Sequence, residues 1–467
     1  MSQSMLRGSV SAGLLKLSIP IVLTNILQST YHLIDMFWVG RISSQAVAAV
    51  AMSFPMIFLL ISMGAGFAIS GTVLVSQFSG KGDQQRVNEY SGQTLLVTGV
   101  FSLVFSVLGY FATPFIISMM GSEPNVTKMA TSYLQISFIG LFFMYSYMMF
   151  QSLFRGIGNV KLPFILVFIA VCFNFFLDPI LIHGYGPFPK LGVDGAAYAT
   201  IITQGFAAIL GLFFMFRGLS GIHVRPRNLK PVWKDVIKII NLGLPASAEQ
   251  STRALSMLVI MFVVTSFGVI GTAAYGVVAR ILSFIIIPAL GFSMATSTMV
   301  GQNIGAGLNE RALKTAKRAM QMIFTVLTAI GVVLFFASGF LMNIFVPNDP
   351  IVQTEGAYFM KVIAFTFGLI GIQQVISGAL RGGGSTILAM ILAMASLWMF
   401  RFPLAYILSY HTTLGVKGVW WAFCISNITG AIISFVVFQR SNWIKNFTTD
   451  FTPTGRRAIQ QTINRKY

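Results

Sequence analysis

Charge is what this sequence has least of. Lys, Arg, Asp and Glu together make up 9% of its 467 residues, with 12 acids against 31 bases, where soluble chains average roughly a quarter. That scarcity excludes the set of soluble domains that a chain of this length would otherwise form. Cysteine is nearly absent as well: Cys172 and Cys424 are the 2 present, both within apolar stretches and without CxxC spacing. A disulfide framework or a cysteine metal site is therefore not expected. Neither HExxH nor GxSxG with suitable partners occurs, and the Gly-rich loops at Gly80 and Gly305 lack the GxxxxGK[ST] pattern of a P-loop. Membrane hydrolysis and ATP-driven chemistry within this chain are set aside on those grounds; the chain does not read as an enzyme.

What the sequence has in abundance is apolar length. Hydrophobic residues reach 55% and fall in blocks long enough to cross a bilayer, which takes about twenty residues. The blocks are 14–40, 46–78, 91–120, 129–154, 162–182 and 193–216, then 236–267, 273–304, 319–346, 352–380, 387–410 and 416–438. They are unbroken rather than alternating in polarity, so they predict helices and not the strands of a barrel. The first block is too long for a signal-peptide core and lacks a small-residue cleavage site, so it is expected to remain as a helix.

The net charge of +19 raises the question of nucleic-acid binding, and the placement of the bases answers it. With twelve spans, Arg41, Lys128, Lys190, Lys361 and Lys417 lie on one side, and Arg253, Arg280 and Arg401 fall inside spans. The rest share the side of the termini, among them Arg7, Lys16, Lys81, Arg86, Arg225, Arg227, Lys230, Arg311, Lys314, Lys317, Arg318, Arg456, Arg457, Arg465 and Lys466. This positive-inside bias makes both termini cytoplasmic. The partner it implies is the lipid bilayer, anionic lipid at the tail included, and not nucleic acid.

Sliding the chain on itself by about 225 residues brings two halves into register. Ile19-Pro20 falls on Leu244-Pro245, Gly66-Phe67 on Gly291-Phe292, and Val75-Ser76-Gln77 on Val300-Gly301-Gln302. With small drifts, Arg155-Gly156 falls on Arg381-Gly382 and Leu191-Gly192-Val193 on Leu414-Gly415-Val416. Six spans per half, an even number, point both copies the same way. The expected fold is thus an all-α polytopic membrane protein of about twelve transmembrane helices, in two six-helix lobes related by a parallel internal repeat. The expected divisions are an amino-terminal lobe 1–217, a cytoplasmic linker 218–234 with Pro226 and Pro231, a carboxyl-terminal lobe 235–440 and a basic tail 441–467. Transporters of this build place their site between the halves. A duplicated scaffold that carries no flux is the alternative.

Three acids fall inside spans: Asp35, Asp178 and Glu249. Each ionised acid at that depth costs about 2.5–3.5 kcal/mol on insertion scales, so each points to a use. Glu249 has Arg253 four residues on, the spacing of a structural ion pair on one helix face. Asp35 and Asp178 have no base at that spacing. Instead Tyr31 lies four residues before Asp35 and Asn174 four before Asp178, giving each acid a polar neighbour on its own face. Such a pair can exchange a proton or cation as the site opens to alternate sides, or can be a pair of protonated core acids. Pro20 removes a helical hydrogen bond and should bend the first helix; Pro179 should disturb α geometry at Asp178. The second half has Phe402-Pro403 and Trp398 where the first has Asp178-Pro179 and Asn174, so the acids belong to one lobe.

The chain resembles the multidrug and toxic compound extrusion family, and within it the DinF-like branch, over nearly its whole length. The resemblance rests on Leu17-Ser18-Ile19-Pro20, on Tyr31 to Asp35 followed by Trp38-Val39-Gly40, and on Leu153-Phe154-Arg155-Gly156. Asn174 with Leu177-Asp178-Pro179-Ile180 and Gly195-Ala196-Ala197-Tyr198-Ala199-Thr200 complete it. It implies a two-lobe antiporter exporting amphipathic, often cationic drugs or toxins, driven by inward flow of protons or sodium. Carried over by position, Tyr31, Asp35, Tyr133, Asn174, Asp178 and Thr200 match the family's amino-lobe polar pocket. His32 stands where close relatives often have Asn; it either couples to Asp35 or faces a neighbouring helix. The expected coupling ion is H+, with Na+ at Asp178, Asn174 and Thr200 the alternative, and no cofactor is expected. The expected working unit is a monomer in the inner (cytoplasmic) membrane. A lipid-linked sugar flippase of related build would need bases clustered in the central cavity, whereas Arg253, Arg280 and Arg401 read as scattered among helices.

Overall fold

The computed structural model describes residues 6–121 and 123–444; the tail bases Arg456, Arg457, Arg465 and Lys466 lie outside the described residues. The first half holds α1 (Val10–Val39), α2 (Ser44–Lys81), α3 (Gln84–Ser118), α4 (Pro124–Ile139), α5 (Leu141–Gly156), α6 (Lys161–His183) and α7 (Val193–Phe216). The second holds α8 (Trp233–Thr265), α9 (Val269–Gly305), α10 (Asn309–Phe345), α11 (Pro350–Ala364), α12 (Phe367–Gly382), α13 (Thr386–Met394), α14 (Phe402–Tyr410) and α15 (Val416–Arg440). Among the described residues, nine helical runs are long and apolar enough to cross a membrane, with α13 and α14 counted as one run. Two bent pairs, α4 with α5 at 51° and α11 with α12 at 55°, add two more. The 33-residue α8, whose apolar length is interrupted by Asp235, Lys238, Glu249 and Arg253, completes the twelve.

The unbroken spans expected over 129–154 and 352–380 are therefore each two helices. Gly140 ends α4, its N–H bonded to Ile136, and a Cβ there would overlap Ile201. At the second break the Thr366 hydroxyl donates to Ile363 O at 2.8 Å and accepts from Asn427 Nδ2 at 3.0 Å, a side-chain competition that bends helices. Helix α6, by contrast, runs straight through Pro179 to His183. Asp178 stays in α geometry, contrary to the disturbance expected from the proline.

Each lobe's first helix begins in the other lobe. Val10, Leu14, Leu17 and Ile21 of α1 pack into the second lobe's core, while Tyr31 belongs to the first lobe's core. Reciprocally, Val236, Ile239 and Leu242 of α8 pack into the first lobe, and Ile260, Val263 and Val264 into the second. The changeover falls near Pro20 in α1 and near Pro245 in α8, residues in register between the halves. Proline lacks the N–H that would bond the preceding turn, so the backbone is loosest where the helix changes partners. The Thr24 hydroxyl turns back onto Pro20 O at 2.8 Å.

The lobes close on each other at the end of the molecule where the basic loops lie. Gln77 Nε2 donates to Gly382 O at 2.8 Å, and its repeat counterpart Gln302 Nε2 donates to Gly156 O at 3.0 Å. Beside them Gly80 lies on the Gln302 backbone and Gly305 on the Gln77 backbone, so closely that a Cβ at either would overlap it. Higher on the seam, Ser247 Oγ donates to Met63 O at 2.7 Å. The linker is docked, not loose: Gln93 of α3 donates to Asn228 O and Lys230 O at 2.8 and 2.7 Å. Asp235 receives the Tyr90 hydroxyl at 2.7 Å and Arg86 at 3.2 Å.

Candidate functional site

Asp35 and Asp178 come together inside the first lobe, where α1 lies along α6. Asp178 and Asn174 are fully buried and Asp35 is 8% exposed. The expected donor works for Asp178: Asn174 Nδ2 donates to its Oδ1 at 3.0 Å, one turn away on α6. It does not work for Asp35. The Tyr31 side chain is too long to fold back on a carboxylate one turn on, and its hydroxyl reaches α7, to Thr200 O at 3.3 Å and to the Thr203 hydroxyl. Thr200 supplies the missing bond, its hydroxyl donating to Asp35 Oδ2 at 3.3 Å. Three helices thus hold the two carboxyl groups near enough to interact directly, with Tyr133 of α4 in electrostatic reach of both.

What remains without a partner is informative. Asp35 Oδ1, Asp178 Oδ2 and Asn174 Oδ1 are buried acceptors without a hydrogen-bond donor among the described residues. Buried acceptors are costly when unpaired, and three of them in one cluster make a place that attracts a proton or a small cation. Thr203 is the member that sequence reasoning missed; its spacing of three from Thr200, on the same face of α7, was the available signal. His32 lies outside the cluster. Its side chain is exposed and sits edge-on to the Tyr31 ring at 6.1 Å.

In the second lobe Glu249 and Arg253 make the ion pair their spacing predicts, at 2.9 Å. The pair is not isolated, because Arg381 Nε of α12 stands 4.0 Å from the other Glu249 oxygen. Arg381 is nearly buried, anchored by Ser377 O and Ser293 Oγ, each at 3.1 Å. Its repeat counterpart Arg155 approaches Met294 across the seam at 3.3 Å and lies within electrostatic reach of Arg381. Arg253 is therefore not solitary: helix bends and the seam gather Arg381 and Arg155 toward it from residues far apart in the chain, while Arg280 lies exposed on α9, scattered as the sequence suggested.

One comparison decides the family. The MatE family model matches residues 20–180 and again 245–407, two copies that begin on the two crossover prolines. The chain belongs to the MatE family. A probable multidrug resistance protein, YpnP of Bacillus subtilis (strain 168), is 29% identical over 95% of this chain and 98% of its own length. An FAD transporter of Shewanella oneidensis is 24% identical over 93% of this chain and 96% of its own length. Among solved structures, a crystal structure of MATE in the bent conformation superposes with TM-score 0.88 at 22% identity, covering 94% of this chain and 96% of that one. As a MatE protein the chain is a multi-pass membrane transporter of small molecules and not an enzyme.

Proposed function

We propose that this MatE chain is a multidrug efflux antiporter that exports amphipathic or cationic compounds by alternating access, driven by inward proton flow through Asp35 and Asp178. The observation that carries the reading is the set of three buried acceptor oxygens on Asp35, Asp178 and Asn174 that lack a donor among the described residues. A proton placed between the carboxyl groups gives one of them a donor for the other; removing it leaves two buried charges in contact, which favours a rearranged pocket. The swing of α1 about Pro20, at its crossover between lobes, is the motion this rearrangement would drive. Related proteins named for multidrug resistance support the cargo class and favour drug export over lipid-linked sugar flipping. The basic side is the cytoplasmic one, and the protein works as a monomer in the inner membrane.

For a monovalent cation exchanged for one proton the membrane potential cancels, leaving about 1.4 kcal/mol, or tenfold accumulation, per pH unit. A neutral cargo would draw in addition on roughly 2.3 kcal/mol per 100 mV. Sodium coupling is the second reading, because oxygen atoms alone suit a hard cation. Of its three proposed ligands, Asp178 and Asn174 present oxygens without a donor among the described residues, and Thr200 donates its hydroxyl proton to Asp35, which leaves the oxygen's lone pairs for a cation. The test is Asp35→Asn in a vesicle efflux assay and a cell-resistance assay: proton-driven export should vanish, and undiminished export would end the proposal.

A further inference from the structure

The second lobe carries a group of guanidinium ions that proton coupling does not use. Arg253 of α8 and Arg381 of α12 share Glu249. Arg401 closes the π-helical turn 395–401 between α13 and α14 and lies in electrostatic reach of Arg253. Among the described residues Glu249 is the acid that meets this group, and it meets only two of its members, Arg253 and Arg381, so Arg401 stands beside Arg253 with no carboxylate of its own. Charges at membrane depth are ordinarily paired, and an excess of one sign marks a place for a partner of the other.

The group is also built to receive one. Arg401 is fixed by Nε on Ser426 Oγ at 3.1 Å and Nη2 on Asn427 Oδ1 at 2.7 Å, with its guanidinium over the Phe423 ring at 4.5 Å. All these partners are neutral, and a guanidinium has five N–H donors, so its charge and part of its donor set stay available. The Arg253 side chain keeps 29% of its surface exposed and gives Glu249 a single bond. Arg253 lies six residues beyond Ser247, the α8 residue that bonds across the seam to Met63, or about 9 Å further along the axis. That places it just past the closed seam, toward the end away from the basic loops. The first lobe has the amide pair Gln28–Gln151 at the matching position of α1, so the two walls differ in charge.

We propose that Arg253 and Arg401 form a subsite for the anionic group of a zwitterionic or anionic amphiphile, so that the transported compounds include carboxylate-bearing ones. This rests on the efflux reading above and narrows its cargo. Guanidinium ions match carboxylates geometrically and bond them more strongly than neutral acceptors do.

The probes are rhodamine B, a zwitterion with a free carboxylate, and its ethyl ester, a cation of nearly the same shape. Fluorescence anisotropy with the full-length protein in neutral detergent should show the acid binding about tenfold more tightly than the ester. Arg253→Gln and Arg401→Gln should each remove that preference while leaving ester affinity within about twofold; Arg401→Lys, which keeps the charge, should restore part of it. Equal or weaker binding of the acid by the unaltered protein, or a preference that survives in both Gln variants, overturns the subsite. If either Gln variant fails to fold, the acid-to-ester ratio of the unaltered protein and of the Lys variant still decides. Vesicle efflux separates the two claims: gradient-driven export of the ester with no advantage for the acid sinks the subsite alone, and no gradient-driven export of either dye sinks the antiporter reading too.

Discussion

Thr200 and Asn174 do the same job for different acids, each giving one hydrogen bond to a buried carboxylate. Bonds to charged groups contribute about 1.5–3 kcal/mol. Thr200→Ala should therefore slow proton-driven efflux by roughly tenfold or more, yet leave it measurable, whereas Asp35→Asn abolishes it; equal rates for Thr200→Ala and the unaltered protein would remove Thr200 from the site. Glu249→Gln leaves Arg253 and Arg381 without their carboxylate. Breaking a buried pair costs about 3–5 kcal/mol, and the partial exposure of Arg253 lowers that to roughly 2–3. Thermal unfolding in detergent checks it, and the double change Glu249→Gln with Arg253→Gln should recover part of the loss. The acids themselves were legible because a charge in an apolar helix stands out. Their real donors were less so: one-turn spacing found Asn174 but misassigned Tyr31, since the partner of a long side chain lies on another helix. The arginines could not be gathered from sequence at all, because Arg381 and Arg401 reach their neighbours only through a bent pair and a π-helical turn.

Pro20 and Pro245 mark where α1 and α8 leave one lobe's core for the other's. Restoring a backbone donor at either should stiffen the crossing. Pro20→Ala and Pro245→Ala are expected to fold with unchanged or raised melting temperature, while efflux falls by about tenfold or more, since a helix-interior proline costs roughly 3 kcal/mol of helix stability. Full efflux in both variants would show that the prolines are static bends. Helix count, order and the repeat were readable from apolar length and spacing alone. The breaks at Gly140 and Thr366 were not, because a helix pair bent by a little over 50° keeps the apolar length of one span. Nor was the exchange of helix ends, which depends on which core a half-helix finds.

At the scale of the whole molecule, alternating access requires the basic-side seam to open. That seam is held by Gln77 to Gly382 and Gln302 to Gly156, with Gly80 and Gly305 allowing the backbones to meet. Gly305→Ala puts a methyl group into the Gln77 backbone, so the closed seam cannot form as observed. Spin labels on Gln84 and Asn309 should report a wider separation than in the unaltered chain, with loss of efflux; an unchanged distance would mean that the seam tolerates the methyl group by local adjustment. The charge inequality between the lobes, a carboxyl pair without a base in one and a surplus of guanidinium ions around Glu249 in the other, is also a property of the whole, because the repeat makes the scaffold symmetric and the side chains make it polar.

In the mechanism proposed above, an asymmetric carboxyl pair, Asp35 with Asp178, couples export to protons. Purified protein in vesicles, with a proton gradient and a sodium gradient imposed separately, tests it most directly through efflux of a fluorescent cation. Efflux driven by the proton gradient alone, and lost in Asp35→Asn and Asp178→Asn, is the predicted result. Efflux that follows the sodium gradient alone, or that persists undiminished in both variants, contradicts it.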